Sequence, residues 1–184
     1  MCKILEIIIR DTVTKHMKDN NLFNPKQFGF LAGRSTELQQ LKVLDIWTHI
    51  LDQGGCIDVI YCDFMKAFDK VPHNRLLYKL EKYSTTGNTL EWIKSFLSDR
   101  TQQVIINDSK SGCAPVTSGI PQGSVLGPLL FVMYINDLPD IVDKDSYECE
   151  QPLVISGHDT FPVLTYNFKG EGEEMPCVYK SMPL

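Results

Sequence analysis

Ser118-Gly119-Ile120-Pro121-Gln122-Gly123-Ser124-Val125-Leu126-Gly127-Pro128-Leu129-Leu130-Phe131 is the stretch on which the reading of this chain turns. Small residues, one amide side chain and a proline stand directly ahead of an apolar run that reaches Leu138. Three glycines without a Cβ leave bare backbone against which another molecule can lie flat. Pro128 suits the first turn of a helix, because its fixed φ fits there and its missing N–H is not needed. The free N–H groups of such a helix start favour a phosphate nearby. Alone, the stretch predicts a glycine-rich loop leading into a helix. The upstream segment Asp63-Phe64-Met65-Lys66-Ala67-Phe68-Asp69 makes it more specific.

A chain of 184 residues has room for one ordinary domain or two small lobes with a usable core. Apolar and charged fractions of 43% and 22% are those of a globular protein in water. No apolar stretch is long enough to span a bilayer, so no membrane partner is expected. The N-terminus, Met1 to Arg10, has acid and base inside its apolar run and no small-residue cleavage site. It reads as an amphipathic helix and not as a secretion signal, so the expected location is intracellular, in nucleus or cytoplasm. Six cysteines (Cys2, Cys56, Cys62, Cys113, Cys149, Cys177) are scattered without a close pair. That spacing argues against a zinc site or redox pair, and buried thiols in a reducing compartment are the plainer reading. The formal net charge of −5 does not announce a nucleic-acid binder. Most of it belongs to the segment from Ser146 onward, with two basic and six acidic residues; the rest is near neutral. Any phosphate-binding surface must therefore be a local patch.

Along the chain, Lys3 to about Asn20 has helical apolar spacing, at Ile4, Ile8, Val13 and Met17. Asn20-Asn21 and Pro25 break it, and Asn24 to Arg34 reads as a loop or short strands. Thr36 with Gln39 fits a capping box, opening a helix that would turn Leu38, Leu41, Leu44, Trp47 and Leu51 inward until Gly54-Gly55. Cys56 to Cys62 is short, apolar and β-prone, a buried strand, with Ile57, Val59, Tyr61 and Asp63 on one side. Val71-Pro72 closes a compact turn. Helices follow over Asn74 to Tyr83 and Asn88 to Asp99, the second with Asn88 and Glu91 at capping-box spacing. Gln102 to Ile106 and Cys113 to Thr117 form a hairpin around residues 107–112. After about Asp145 prolines, glycines and the acids between Glu171 and Glu174 replace any sustained period, and weak or absent structure is expected.

A carboxylate such as Asp63, at the end of a core strand and next to a turn, is well placed to hold a hard cation such as Mg²⁺. A turn aspartate satisfying backbone N–H groups is the commoner local reading. Phe68 reads as a core aromatic, Asp69 as a surface or capping acid, and Lys66 as a solvated lysine or a phosphate contact. No other carboxylate pairs with Asp63 by spacing.

The order Gln27-Phe28-Gly29-Phe30…Gly33-Arg34-Ser35-Thr36, then Asp63 to His73, then Gly119 to Leu129, closed by Tyr134-Ile135-Asn136-Asp137-Leu138-Pro139, resembles the reverse transcriptases of non-LTR (LINE-type) retrotransposons. Leu76 to Leu80 and Trp92 to Leu97 match the family's intervening helices. The resemblance covers about Cys2 to Ile141, and it rests on several ordered motifs together. It implies an α+β fold: a right-hand polymerase fragment with an antiparallel palm sheet backed by helices. Residues 1–54 would be partial fingers, 55–145 an incomplete palm and 146–184 a divergent, poorly ordered tail. The family's first fingers segment and its thumb would be absent, leaving a piece truncated at both ends. Asp63 would be the first catalytic, metal-binding aspartate, with the carbonyl of Phe64 beside it, in a site for two Mg²⁺ ions. Phe68 would exclude a 2′-hydroxyl. Gly119, Pro121, Gln122, Gly123 and Ser124 would line the nucleotide and template pocket. Arg34 and Lys66 would contact nucleic acid, Arg34 having a surface role as its alternative. RNA template, DNA primer and dNTP would be the partners; the oligomeric state is not implied.

The family's second acidic turn, an aromatic-Ala-Asp-Asp sequence, has no counterpart, because the chain contains no Asp-Asp. At the expected place it reads Ile155-Ser156-Gly157-His158-Asp159-Thr160. Either His158-Asp159 is a decayed Asp-Asp pair, or the reading frame leaves the element after about Val142; the tail's composition favours the second. Little or no DNA synthesis is therefore expected. A non-catalytic nucleic-acid-binding module and an unselected retroelement remnant are the alternatives.

Overall fold

The computed structural model describes residues 3–61, 64–142 and 163–167. In chain order they form α1 (Lys3–Asp19), α2 (Thr36–Asp52), β1 (Ile57–Tyr61), α3 (His73–Lys82), α4 (Gly87–Leu97), β2 (Thr101–Gln102), β3 (Ile105–Ile106), β4 (Ser109–Lys110), β5 (Ala114–Pro115), α5 (Gly127–Ile135), α6 (Leu138–Val142) and β6 (Val163–Asn167). Three two-stranded antiparallel sheets join β1 to β6, β2 to β5 and β3 to β4. The class is α+β, with mixed helices and small antiparallel sheets. The elements group into two units, each discontinuous in sequence: Met1–Leu22 with Lys66–Tyr134, and Phe23–Met65 with Ile135–Leu184.

In the first unit α5 is apolar on every side, and Leu129 to Tyr134 are all buried, as suits a helix inside a core. The packed helices α3 and α4 each bury one stripe four residues apart, Leu76 with Leu80 and Ile93 with Leu97. Each such side chain contributes roughly 1.5–3 kcal/mol by leaving water. The expected cap of α4 is corrected: Thr86 is the N-cap, without a side-chain hydrogen bond, and Asn88 lies inside the helix. Gly87, the first residue of the helix, takes φ +63°, a conformation that glycine adopts freely.

The spaced apolar positions of α1 divide between the core and the surface. Glu6, Ile9, Val13 and Met17 are buried, whereas Ile4 is 67% and Ile8 56% exposed. The helix carries two apolar stripes, and the one that holds an acid faces in. The β2–β5 segment is an exposed ribbon whose inner turn is tighter than residues 107–112. Asn107 and Asp108 alone connect β3 to β4, both with positive φ, as a two-residue hairpin requires.

In the second unit, α2 begins after Ser35, not after Thr36: the Ser35 Oγ accepts the Leu38 N–H at 3.2 Å. It ends at Gln53, with the Gly54 and Gly55 N–H groups returning to Leu51 and Ile50. The expected leucine face is overturned. Leu38, Leu41, Leu44 and Leu51 are all more than half exposed, while Gln39 and Val43 are buried. This helix too has two apolar stripes, so periodicity alone could not choose between them. Both side-chain polar atoms of Gln39 and the Trp47 indole N–H are buried and find no hydrogen-bond partner among the described residues.

β1 pairs with β6 from Ile57↔Asn167 to Tyr61↔Val163. β6 lies within the segment for which weak or absent structure was expected. Val163-Leu164-Thr165-Tyr166-Asn167 is β-branched and aromatic enough to complete a backbone ladder. The remainder of the tail lies outside the described residues.

Candidate active site

Within the first unit, the turn after the Asp63 segment and the glycine-rich loop are fastened backbone to backbone. The Gly119 N–H donates to Val71 O and the Ile120 N–H to Phe68 O, both at 2.9 Å. The Ser118 hydroxyl donates to Asp69 O, and the Gln122 amide to Asp69 Oδ1, each at 2.9 Å. Gly119 makes this approach possible: its φ is +88°, and a Cβ there would stand 2.6 Å from Asp69 O and 2.9 Å from Asp69 Cα. Its carbonyl in turn accepts from His73 Nε2 at 2.8 Å and from the Arg100 guanidinium at 2.6 Å. A carbonyl only accepts, so His73 Nε2 carries the proton, and its 3.5 Å approach to Arg100 sets two donors side by side on one oxygen. Arg100 also donates to Leu97 O at the end of α4, and burial lowers its pKa from the ordinary value. Phe68 stacks on Phe131 of α5, with ring centroids 4.5 Å apart.

The three glycines therefore differ. Gly119 is committed to the Asp69 backbone. At Gly127 a Cβ would meet Ser124 Oγ at 2.6 Å and Pro121 O at 3.1 Å. Only Gly123, with φ +76° and nothing within 4 Å of a Cβ, leaves backbone open. Gln122 and Gly123 are exposed, and Pro121 and Ser124 half-buried.

At the start of α5, where a phosphate was expected, three successive N–H groups already have partners. The Val125 N–H donates to Glu6 Oε2 at 2.8 Å and the Leu126 N–H to the same oxygen at 3.3 Å. The Gly127 N–H goes to Ser124 Oγ at 3.0 Å, and that hydroxyl donates to Pro121 O at 2.7 Å. A carboxylate from α1 already satisfies the positive helix end.

Among the other expected site residues, Phe64 is buried in the second unit, and Lys66 is exposed at φ +58°. Arg34 closes its own loop: one guanidinium nitrogen donates to the carbonyls of Asn24, Pro25 and Gln27, and the group lies 5.5 Å from the Phe28 ring centroid. Lys42 lies 6.0 Å from the same ring. Asn24 anchors that loop, its N–H donating to Asn136 Oδ1 and its amide to Asp140 Oδ1. Asp63, His158 and Asp159 lie outside the described residues. Oxygen donors of the Asp63 and Phe64 kind suit Mg²⁺. Among the described residues, no three His, Cys, Asp or Glu side chains gather to hold a metal ion, and no helix is long and apolar enough to cross a membrane.

Sequence reasoning missed Glu6, His73 and Arg100 as parts of this construction. An acid within the apolar run of α1 was the available sign for Glu6; nothing local marked Arg100.

These motifs, in this order, are those of the reverse transcriptase family. The profile of the reverse transcriptase (RNA-dependent DNA polymerase) family matches residues 1–155, and the chain belongs to that family, in its non-LTR, LINE-type branch. It is 33% identical over 164 residues to the RNA-directed DNA polymerase from mobile element jockey of Drosophila melanogaster, covering 89% of this chain and 18% of that protein. It is 32% identical over 139 residues to the probable RNA-directed DNA polymerase from transposon BS of the same species, covering 76% and 15%. A putative 115 kDa protein in type-1 retrotransposable element R1DM is 33% identical over 165 residues, covering 85% and 15%. The chain thus spans less than a fifth of the length of these relatives.

Proposed function

We propose that this chain carries part of the nucleotide-binding face of an RNA-directed DNA polymerase, with RNA template, DNA primer and dNTP as its partners. In this reading residues 1–54 belong to the fingers and 55–145 to the palm, and no residues are assigned to a thumb. Gly119 to Ser124 form one wall of the nucleotide pocket, Gln122 supplies its polar contact, and Phe68 bars a ribose 2′-hydroxyl. Arg34 and Lys66 approach template or primer phosphates. Asp63 and the Phe64 carbonyl would hold Mg²⁺, which when bound supplies Lewis-acid activation of the primer 3′-hydroxyl and charge neutralisation at the leaving pyrophosphate.

The observation that supports this most is the fastening of Gly119–Gln122 onto Phe68–Val71. It joins two motifs far apart in sequence and, of the loop's three glycines, leaves Gly123 with open space around it.

Synthesis by this chain is weak or absent in the proposal. Two Mg²⁺ ions bring four positive charges, against which Asp63 and Asp159 offer two negative ones. If His158-Asp159 is the family's acidic pair in decayed form, His158 is a poor ligand for a cation that prefers oxygen; if the reading frame leaves the element after about Val142, the pair is missing altogether.

Primer extension on an RNA template, with Mg²⁺ or Mn²⁺, tests both halves. Little or no product is expected, together with salt-dependent retention of the primer–template. Robust synthesis abolished by Asp63→Asn would overturn the deficiency and keep the site. No retention of primer–template at low salt would overturn the role itself.

A further inference from the structure

We propose that Glu6 is a positioning residue for the nucleotide-facing loop: its carboxylate, brought by α1, holds Pro121 to Leu126 in the shape that loop needs. The proposal rests on the reading of that loop as a nucleotide wall. Glu6 is 7% exposed on a stripe otherwise made of Ile9, Val13 and Met17. A buried acid in such a setting is costly unless hydrogen-bonded, and Glu6 takes up the N–H groups of Val125 and Leu126 with one oxygen. Those two groups sit where the loop turns into α5, next to the Ser124 hydroxyl that ties Gly127 to Pro121.

The loop is thereby held at two places within its unit. One is the Gly119 fastening to Asp69 and Val71; the other is Glu6. Between them lie Gln122 and Gly123, the exposed residues. The far end of α1 is anchored independently, by Met17 in the core and by His16 Nε2 donating to Tyr83 O at 2.8 Å. Loss of Glu6 should therefore free the loop while α1 stays docked.

Amide hydrogen exchange on the whole chain tests this, comparing Glu6→Ala, Glu6→Gln and wild type. In Glu6→Ala the Val125 and Leu126 amides should exchange faster by about tenfold or more, equivalent to about 1.4 kcal/mol. The amides of Leu130 to Met133 should keep their wild-type rates. Sodium formate, but not sodium chloride at equal ionic strength, should restore protection by filling the vacated position. Glu6→Gln, which keeps an acceptor oxygen, should stay close to wild type without formate. Should Glu6→Ala not fold, Glu6→Leu fills the space without an acceptor, and must show the same two fast amides with no response to formate.

Deoxynucleoside triphosphate affinity, read on the same samples, should fall about tenfold in Glu6→Ala and recover with formate. If wild type binds no triphosphate, the nucleotide reading fails, while the exchange data still decide whether Glu6 holds the loop. Unchanged exchange at Val125 and Leu126 in Glu6→Ala would overturn the proposal. So would a uniform acceleration across α3, α4 and α5 that formate does not reverse, because Glu6 would then only stabilise the unit as a whole.

Discussion

Replacing Gly119 by Ala tests the fastening that the nucleotide-facing loop depends on. Two costs add. A side chain at φ +88° brings left-handed strain of about 1–2 kcal/mol. The new Cβ, 2.6 Å from Asp69 O and 2.9 Å from its carbonyl carbon, has no flexible neighbour to displace. Backbone must move, and such overpacking costs about 1–3 kcal/mol more. The motion also pulls Gly119 from the Val71 carbonyl and from the two donors on its own oxygen. Gly123→Ala is the internal control, because its φ is +76° with open space around it, so it carries only the strain, about 1–2 kcal/mol. Urea denaturation of both variants, at constant m, should place Gly119→Ala about 1–3 kcal/mol below Gly123→Ala. Equal losses, within about 0.5 kcal/mol, would refute the close approach of the loop to Asp69.

Further outcomes follow from neighbouring features. Arg100→Met should cost about 1–3 kcal/mol by urea denaturation, since the Gly119 and Leu97 carbonyls each lose a charged donor. Its combination with His73→Ala should be non-additive, because both side chains serve one oxygen. Ser35→Ala should lower stability by about 1 kcal/mol through the lost cap of α2. The Ser35 side chain is also the main cause of the lowered Glu37 pKa, so in this variant the Glu37 pKa should rise towards the ordinary glutamate value when followed by carboxyl NMR. A depressed folded pKa gives stability that is present above the unfolded value and lost as pH falls through the folded one, and Ser35→Ala should weaken that acid dependence. Leu41→Gln should change stability by less than about 0.5 kcal/mol, whereas Val43→Ala should cost about 2 kcal/mol, measured in the same way.

The order of elements was legible because its signals are local. Apolar periodicity and glycine breaks placed α1, α3, α4 and α5 within a few residues of their observed ends. Which way a helix faces was not local information. In α1 and α2 two apolar stripes compete, and long-range partners decide: the N–H groups of Val125 and Leu126 draw Glu6 inward, and with it Ile9, Val13 and Met17. The same holds at the loop. Its glycines were visible as places without side chains, yet nothing in the sequence distinguished Gly119, packed on the Asp69 backbone, from Gly123, which stays open. The start of α5 read as a phosphate position because free N–H groups attract anions of any kind, and the anion supplied is a side chain 119 residues away in sequence. β6 was missed because five β-prone residues stand among prolines, glycines and acids, and only the unpaired edge of β1 gives them a partner.

Photo-crosslinking addresses the central claim most directly, since it reads nucleotide contact without requiring synthesis. The chain, an RNA template with an annealed DNA primer, Mg²⁺ and a photoreactive deoxynucleoside triphosphate are irradiated together, and the modified residues are mapped. Adducts are expected within Gly119–Ser124 and at Phe68, lost on competition with unmodified triphosphate. Competed adducts elsewhere, with none on that loop, would contradict it.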